Sequence, residues 1–427
     1  MQTIYENMTT EELAAEVARL DLEVEHACAK NLALDMARGK PSPQQVNISR
    51  PMLSILTEDS DLTDEGVDCA NYGGFEGIPS ARKLAGEYFG VPAENTFVFG
   101  SSSLTIMHDV LGHLWRKGTD GNPAWDSLGE TKFLCPAPGY DRHFRITEDL
   151  GMTNVAIPMT GEGPDMDMIE DLVAHDASIK GIWCVPKYSN PTGETYSDET
   201  VRRLVSMKCA APDFRIFWDN AYSVHDLYDT SDSLLNVFDA AREAGNPDRV
   251  YAFASTSKIT FPGAGMAFMA ASKKNLEEIA VTFGAGLISA DKMNQLRHVR
   301  FMPTLADIHV HMQKHAEFLR PRFEVVEQKL QEGLANTGCA HWTHPRGGYF
   351  VSFDGVDGSA QRIVALTAKM GVKMTGAGAT YPYGKDPHDT NIRIAPSYPS
   401  VEDLAAALDV FVLAVKCVSA HLAYENR

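Results

Sequence analysis

Basic side chains are under-represented in this sequence, and the shortage limits which partners the protein can bind. Its 38 Lys and Arg residues are outnumbered by 57 Asp and Glu residues, which gives a formal net charge of -19. An acidic protein repels nucleic-acid phosphates and anionic lipid headgroups, so we expect no nucleic-acid partner and no membrane partner. A negatively charged substrate would need a local basic pocket.

Cysteine is also sparse, and long uninterrupted apolar runs are missing. The seven cysteines include no Cys-x-x-Cys pair, so they indicate buried thiols in a reducing compartment and predict no metal site. The N-terminus carries Glu6 and Glu12 in place of the basic and apolar segments of a signal peptide. The most apolar stretch, 404–422, contains Asp409 and Lys416, which favours an amphipathic helix over a membrane span. We therefore expect a cytoplasmic protein.

The sequence does contain a regular alternation of short apolar runs and longer helical patterns between about residues 75 and 300. Several of the runs are continuously apolar, as are strands that helices cover on both faces. The alternation predicts a large α/β domain with a mostly parallel, seven-stranded sheet. Its candidate strands are 96–99, 132–135, 154–157, 181–185, 215–218, 250–253 and 266–270.

The two ends of the chain show a different pattern. Thr9 and Glu12 form a capping-box signature ahead of a first helix. A long helical stretch, 287–335, is followed by a candidate strand at 348–353, a helix, a second strand at 391–394 and a final helix. A chain of 427 residues exceeds what one hydrophobic core usually organises. We predict an N-terminal arm and small-domain part at 1–50, a large domain at 51–300 and a smaller α+β domain at 301–427.

Lys258 stands in an unusual polar setting. It follows Ser255, Thr256 and Ser257 and precedes a Pro-Gly turn. A lysine amine in a partly desolvated pocket loses its proton readily and can form a Schiff base with an aldehyde, as pyridoxal phosphate chemistry requires. One lysine decides nothing alone, so its interpretation depends on the residues at the other strand ends.

Three consecutive serines, Ser101 to Ser103, follow the candidate strand 96–99 and precede an apolar-periodic helix. Free backbone amides and the helix dipole at such a position can bind a phosphate. The same serines are also typical of a helix cap, and on their own the cap is the more common explanation.

Asn190 begins an Asn-Pro-Thr-Gly turn after one apolar strand, and Asp219 directly follows the next. Open α/β sheets bind ligands at this edge, where a carboxylate could keep a pyridine nitrogen protonated and Tyr222 could donate to a ring oxygen. Each residue also has an ordinary explanation as part of a turn, a cap or the core. The spacing favours the functional explanation. The segments that separate Asn190, Asp219 and Lys258 have lengths that suit a strand, a helix and a strand, which would bring the three residues to the same edge of the sheet.

With these residues the chain resembles the fold-type-I, pyridoxal-phosphate-dependent aminotransferases of classes I and II, over nearly its whole length. It is most similar to a divergent bacterial branch of the aspartate aminotransferases, which shares the Ser-Lys-Ile-Thr-Phe segment. The resemblance implies that Lys258 forms the Schiff base and acts as the base. It also implies that Asp219 binds the ring nitrogen, that Asn190 and Tyr222 bind the ring oxygen, and that Tyr140 stacks on the ring. The residues implied near the phosphate are Ser101, Ser102, Ser103, Ser255 and Ser257, with Tyr72 reaching the phosphate of a partner subunit in a homodimer with shared active sites.

The resemblance also implies a substrate site. Arg393 matches the arginine that binds the substrate α-carboxylate, Asn190 lies beside it, and Gly39 fits the loop that covers the substrate. We expect aspartate and 2-oxoglutarate as substrates, with Arg142 as the first candidate for binding the side-chain carboxylate. Lys292 and Arg297 are the alternatives for this role. An aminotransferase for aromatic amino acids or alanine and a pyridoxal-phosphate-dependent lyase stay open, whereas a regulator is disfavoured because only about forty residues precede the first site-like loop.

One position departs from the family pattern. The family pattern places an arginine eight residues after the lysine to bind the phosphate, but this chain has Met266 there. We therefore expect hydroxyls and backbone amides to hold more of the phosphate.

His311 and His315 have the i, i+4 spacing of a helical metal site. No glutamate lies in the metalloprotease position between them, so we interpret them as core or solvated histidines.

Overall fold

The computed structural model describes residues 2–427. Its helices are α1 (Thr10–Ala29), α2 (Pro43–Asn47), α3 (Pro79–Phe89), α4 (Ser103–Lys117), α5 (Asp141–Asp149), α6 (Met166–His175), α7 (Asp198–Ser206), α8 (Val237–Glu243), α9 (Lys273–Gly286), α10 (Lys292–Phe301), α11 (Leu305–Leu334), α12 (Ala360–Lys369) and α13 (Val401–Glu425). Its main strands are β1 (Thr96–Val98), β2 (Lys132–Ala137), β3 (Thr153–Pro158), β4 (Ile179–Cys184), β5 (Arg215–Asp219), β6 (Val250–Ser255), β7 (Ala267–Ala271), β8 (Ala340–Trp342), β9 (Val351–Gly355) and β10 (Asn391–Ile394).

The large sheet has seven strands in the order β1-β7-β6-β5-β4-β2-β3. Strand β7 is antiparallel to both of its neighbours, and the other pairings are parallel. The predicted α/β class and the mostly parallel sheet are confirmed. Each of the seven predicted strands is present, with bounds that differ by one or two residues.

Helices cover both faces of this sheet, as continuously apolar strands require. Alternate residues of each strand point to opposite faces, so Ile216 and Phe217 of β5 belong to two different apolar clusters. One cluster packs against α3, α6, α7, α8 and α10, and the other packs against α4, α5 and α9. The sheet is therefore held rigidly between two layers, and its strand ends can position functional side chains.

A third apolar cluster lies around the antiparallel sheet β8-β9-β10 and the helices α1, α12 and α13. Helix α11 joins this cluster to the large domain, because Met312 packs in one core and Leu319 in the other. The predicted strand at 348–353 begins later, at Val351, because Gly348 has a left-handed φ of +85° and lies against Tyr188. The domain limits at residues 50 and 300 stay predictions.

Helix α13 is long and apolar enough to cross a membrane by length and composition alone. It packs against α1 and α11 and contributes buried residues such as Leu408 and Phe411 to the third cluster. This packing explains its apolar character, because a helix in the core is apolar on most of its surface.

One group of possible metal ligands lies between α1 and α13. The carboxylate of Asp21 is 2.8 Å from His421 Nε2 and accepts a weak hydrogen bond from Cys417 Sγ at 3.6 Å. Burial raises the pKa of Cys417 to about 12, which disfavours the thiolate that a metal would require. The three groups satisfy one another as an ordinary polar cluster.

A buried ion pair between the interior strand β4 and the residues just before β5 provides a test of the fold. Lys180 Nζ lies 2.7 Å from Asp213 Oδ1, and both side chains are less than a tenth exposed. Lys180→Met would leave the carboxylate with only its hydrogen bond from Trp125, and we expect a loss of about 3–5 kcal/mol of unfolding free energy. Lys132→Met, which removes a more exposed pair with Asp176, should cost much less, because solvent screens exposed ion pairs. Urea denaturation measures both; equal losses would contradict this account.

Candidate active site

A cavity of about 230 Å³ opens at the carboxyl ends of β4, β5 and β6 and beside the first turn of α4. Parallel strands place their carboxyl ends at one edge, so residues distant in sequence meet there. Most of the residues predicted for the cofactor line this cavity. They are Ser102, Ser103, Tyr140, Asn190, Asp219, Tyr222, Ser255, Ser257 and Lys258.

Asp219, the last residue of β5, is almost fully buried. Its Oδ2 lies 2.9 Å from His143 Nε2, and the His143 ring stacks on Trp183 with a centroid distance of 4.6 Å and an interplanar angle of 10°. Its Oδ1 is buried and has no hydrogen-bond partner within residues 2–427. Sequence reasoning missed His143, although its position three residues after Tyr140, one helical turn on, was an available signal.

Lys258 ends a short 3-10 turn that follows β6. Its Nζ lies 4.9 Å from the centroid of the Tyr222 ring, so the amine and the phenol share one wall of the cavity. Burial raises the pKa of Tyr222, and the nearby Asp219 carboxylate raises it further. Tyr222 is therefore a neutral phenol that can donate a hydrogen bond at physiological pH.

The serine segments form a cradle at one end of the cavity. Ser102 occupies the N-cap position of α4, but its side chain does not cap the helix, so the first-turn amides are not satisfied by it. Ser257 Oγ donates to the carbonyl oxygen of Ser101 at 3.0 Å and accepts from Ser255 Oγ at 3.0 Å. Gly265 permits this close approach, because a Cβ there would lie 2.9 Å from Ser101 O. Free amides and hydroxyls at a helix N-terminus form a typical anion site.

Met266, at the position of the family's phosphate-binding arginine, is buried in the core. Its backbone N–H donates to Thr256 Oγ1 at 2.8 Å, and its carbonyl oxygen accepts from the Thr256 N–H at 2.9 Å. This position therefore contributes to the lysine turn through its backbone.

Arg393, in β10, does not line the cavity but contacts Asn190, which does. Its Nη1 donates to Asn190 Oδ1 at 3.3 Å and lies 3.6 Å from Asp141 Oδ1, while its guanidinium carbon lies 4.7 Å from the Phe350 ring centroid. Its Nε is buried and has no partner in the part of the chain that the structure describes. Gly39 packs on the same aromatic ring, because a Cβ there would lie 2.2 Å from it. The guanidinium is thus oriented and still has an unused donor.

With this geometry in view, comparison with known proteins identifies the family. The family model described as aspartate amino-transferase matches residues 8–426. This chain belongs to the aspartate aminotransferase family. The aminotransferase is 49% identical, over 89% of its length and 90% of the relative's, to a Mycolicibacterium smegmatis protein described as an aminotransferase. It is 42% identical to a Corynebacterium glutamicum protein named aspartate aminotransferase, with 89% and 88% of the two chains covered.

A solved structure agrees with this assignment. The crystal structure of an aspartate transaminase from Corynebacterium glutamicum matches the aminotransferase with a TM-score of 0.96 and 39% identity, and the match covers 98% and 99% of the two chains. The expected fold-type-I aminotransferase class is thereby confirmed.

Several predicted site residues lie outside the cavity in the single chain. Arg142 is exposed on the first turn of α5 and does not line the cavity, and Tyr72 is 83% exposed on a loop. Lys292 is buried and donates to the carbonyl oxygens of Asp68 and Tyr72, and Arg297 donates to Asn294 Oδ1. Lys292 is therefore committed to the protein backbone, while roles for Arg142 and Tyr72 stay predictions.

Buried histidines surround the lysine turn of the aminotransferase. His311 Nε2 lies 2.9 Å from the carbonyl oxygen of Ile259, and His315 Nδ1 lies 3.0 Å from Gln45 Nε2, so both are core histidines. His225 is buried beside Tyr222, and neither ring nitrogen has a hydrogen-bond partner within residues 2–427. Burial lowers the pKa of His225 to about 3 and the pKa of His315 to about 3. These rings stay neutral in the folded protein at neutral pH.

The histidine environment predicts a pH dependence of stability. The unfolded chain takes up a proton on His225 below its ordinary pKa of 6.5, but the folded protein does so only near pH 3. The stability that the neutral ring allows is therefore complete above pH 6.5 and is lost as the pH falls below that value. His225→Phe should keep or raise the melting temperature at pH 8 and should melt higher than the wild type at pH 5.

Thermal melts between pH 8 and pH 5 measure this difference. Glu194 has the opposite effect on the pH dependence of stability. Burial raises its pKa to about 7, so its contribution to stability increases as the pH falls. Glu194 is present in both proteins, so its effect cancels when they are compared. His175→Phe, at an exposed site, serves as the control and should melt like the wild type at every pH. Parallel curves for the His225→Phe and wild-type proteins would show that the buried ring does not resist protonation.

Proposed function

We propose that this aminotransferase transfers the amino group of L-aspartate to 2-oxoglutarate, giving oxaloacetate and L-glutamate, with pyridoxal 5'-phosphate as the cofactor. The observation that carries the proposal is the convergence of Lys258, Asp219 and Tyr222 on one cavity, with Arg393 near its edge. Family membership and the similarity to proteins named as aspartate aminotransferases support it.

The residues of the cavity fit the cofactor. The unpartnered Oδ1 of Asp219 can accept a hydrogen bond from a protonated ring nitrogen, and Tyr140, which lines the same cavity, could stack on the ring. The uncapped amides of α4, with Ser255 and Ser257, suit the phosphate. When bound, pyridoxal 5'-phosphate would supply an electron sink for the electrons released at the substrate α-carbon.

Side chains of the protein bind the substrate and move the proton. Arg393 binds the substrate α-carboxylate through its planar guanidinium, and exchanges its contact with Asp141 for that anion. Lys258 Nζ takes the proton from the substrate α-carbon, and in the second half-reaction returns a proton to the α-carbon of the incoming 2-oxo acid. Tyr222 remains a neutral donor throughout. Because both substrates use the same cavity in turn, the kinetics should be ping-pong.

Choice of aspartate requires a second cation. Lys258 is the one basic residue among the side chains that line the cavity of the described chain, so the cation must come from outside that lining. Arg142 is our candidate, because it adjoins Asp141 and lies two residues beyond Tyr140. We propose further that the protein acts in the cytoplasm as a homodimer, in which the exposed Tyr72 reaches the phosphate of the partner subunit.

Spectroscopy of the purified protein tests the proposed reaction. We expect a visible absorption band that is lost on addition of L-aspartate and returns on addition of 2-oxoglutarate, with oxaloacetate and L-glutamate as the products. Lys258→Ala should abolish turnover, because the residue that moves the proton is removed. A stronger response to L-alanine or L-phenylalanine would reassign the substrate. Release of ammonia and pyruvate from an amino acid with a β leaving group, such as L-cysteine with loss of its sulfur as sulfide, would indicate a β-lyase.

The role of Arg142 predicts a selective effect on substrates. Arg142→Ala should lower kcat/KM for aspartate by on the order of 100-fold, the loss of one charge-assisted carboxylate contact, and should leave an aromatic amino acid nearly unchanged. Arg145→Ala, one turn away on α5 and also exposed, is the matched control and should change neither value. Equal losses for both amino acids would refute the assignment of Arg142.

A further inference from the structure

Helix α10 does not line the cavity, but its side chains hydrogen-bond several of the segments around the serine cradle. Lys292 binds the loop that carries Tyr72, as described above. Gln295 Nε2 donates to the carbonyl oxygen of Val98, the last residue of β1, at 2.8 Å. Asn294 Nδ2 donates to the carbonyl oxygen of Gly265 at 2.9 Å, on the hairpin between β6 and β7. One helix therefore fixes the relative positions of separate parts of the cradle.

His298 is the α10 residue that contacts the lysine turn. Its Nδ1 lies 2.8 Å from the carbonyl oxygen of Asn294, which can only accept, so Nδ1 carries the ring hydrogen. Its Nε2 is then an acceptor, and lies 3.1 Å from Thr256 Oγ1 and 3.0 Å from Thr260 Oγ1. Since Thr256 Oγ1 already accepts the Met266 N–H, its own hydrogen is available to His298.

The arrangement depends on a neutral imidazole. His298 is fully buried, and burial lowers its pKa to about 4. The acceptor at Nε2 therefore persists at neutral pH, and no water competes for the Thr256 hydroxyl, which is buried as well. A buried hydrogen bond between residues of fixed elements restricts the turn more than an exposed one would.

We propose that His298 is a positioning residue for the cofactor site, which acts by holding Thr256 and thereby the turn that carries Ser255, Ser257 and Lys258. The inference rests on the proposed binding of pyridoxal 5'-phosphate. It also gives a structural account of the missing arginine at position 266, where the backbone of Met266 joins the same network. A neutral side chain outside the cavity lining, that of His298, thus keeps the serine cradle in position.

Two substitutions at this position separate the hydrogen bond from the filling of space. His298→Phe keeps a ring of similar size but removes the acceptor, whereas His298→Gln keeps an acceptor oxygen within reach of Thr256. His113→Phe is the matched control, because His113 is also buried and bonds a threonine hydroxyl, Thr282 Oγ1 at 2.7 Å, away from the lysine turn. Each protein is prepared free of cofactor and then titrated with pyridoxal 5'-phosphate.

The readouts are the dissociation constant of the cofactor, the pH midpoint of its visible band and the melting temperature of the cofactor-free protein. We expect His298→Phe to weaken binding by on the order of ten-fold and to shift the pH midpoint, since the lysine turn is no longer fixed. His298→Gln should restore both to near wild-type values. The cofactor-free melting temperature of His298→Phe should fall no further than that of His113→Phe.

Other outcomes would overturn the proposal in distinct ways. If His298→Phe lowers the melting temperature but binds the cofactor as the wild type does, the residue is structural only. If His298→Gln is as defective as His298→Phe, the acceptor at Nε2 is not the cause. If the wild-type protein takes up no pyridoxal 5'-phosphate, the proposed function itself fails, and the role of His298 fails with it.

Discussion

The buried carboxylate of Asp219 is the constraint around which this site is arranged. Removing a carboxylate from water is costly unless hydrogen bonds or an opposite charge compensate it. His143 binds one oxygen, and the stacking of its ring on Trp183 fixes the direction of that bond. The other oxygen has no partner within residues 2–427. A cationic ring bound in the cavity would supply the missing partner for this oxygen and would compensate the burial of the carboxylate.

The fold supplies the geometry that the carboxylate needs. Strands β4 and β5 run parallel, so Asn190 and Asp219 leave the sheet at the same edge, and the hairpin of β6 and β7 carries Lys258 to it. Arg393 comes from β10 of the three-stranded sheet and donates a hydrogen bond to Asn190. The cavity therefore combines a serine-lined helix N-terminus that suits an anion with a buried carboxylate, and a guanidinium lies beside Asn190 of its lining. Such a division suits a reaction in which one amine moves a proton while charged groups hold both ends of the reactants.

Much of this architecture was predictable from the sequence, because continuously apolar strands and helical periodicity are local patterns. The alternation located the seven strands to within two residues, and the spacing of Asn190, Asp219 and Lys258 predicted their convergence. His298 was missed because its role depends on which helix faces which strand and leaves no periodic signal, whereas for His143 the one-turn spacing from Tyr140 was a signal that did not by itself reveal a contact with Asp219. The exposed position of Arg142 follows from the rotation of α5, which buries His143 and Phe144 and turns Arg142 outwards. Sequence distance alone cannot give that rotation.

Covalent capture of the cofactor tests the central claim most directly. The protein loaded with pyridoxal 5'-phosphate is reduced with borohydride, digested and mapped by mass spectrometry. The account predicts a single stable label of one phosphopyridoxyl group, on the peptide that contains Lys258. A label on another lysine, or no label on a protein that still converts aspartate, would contradict it.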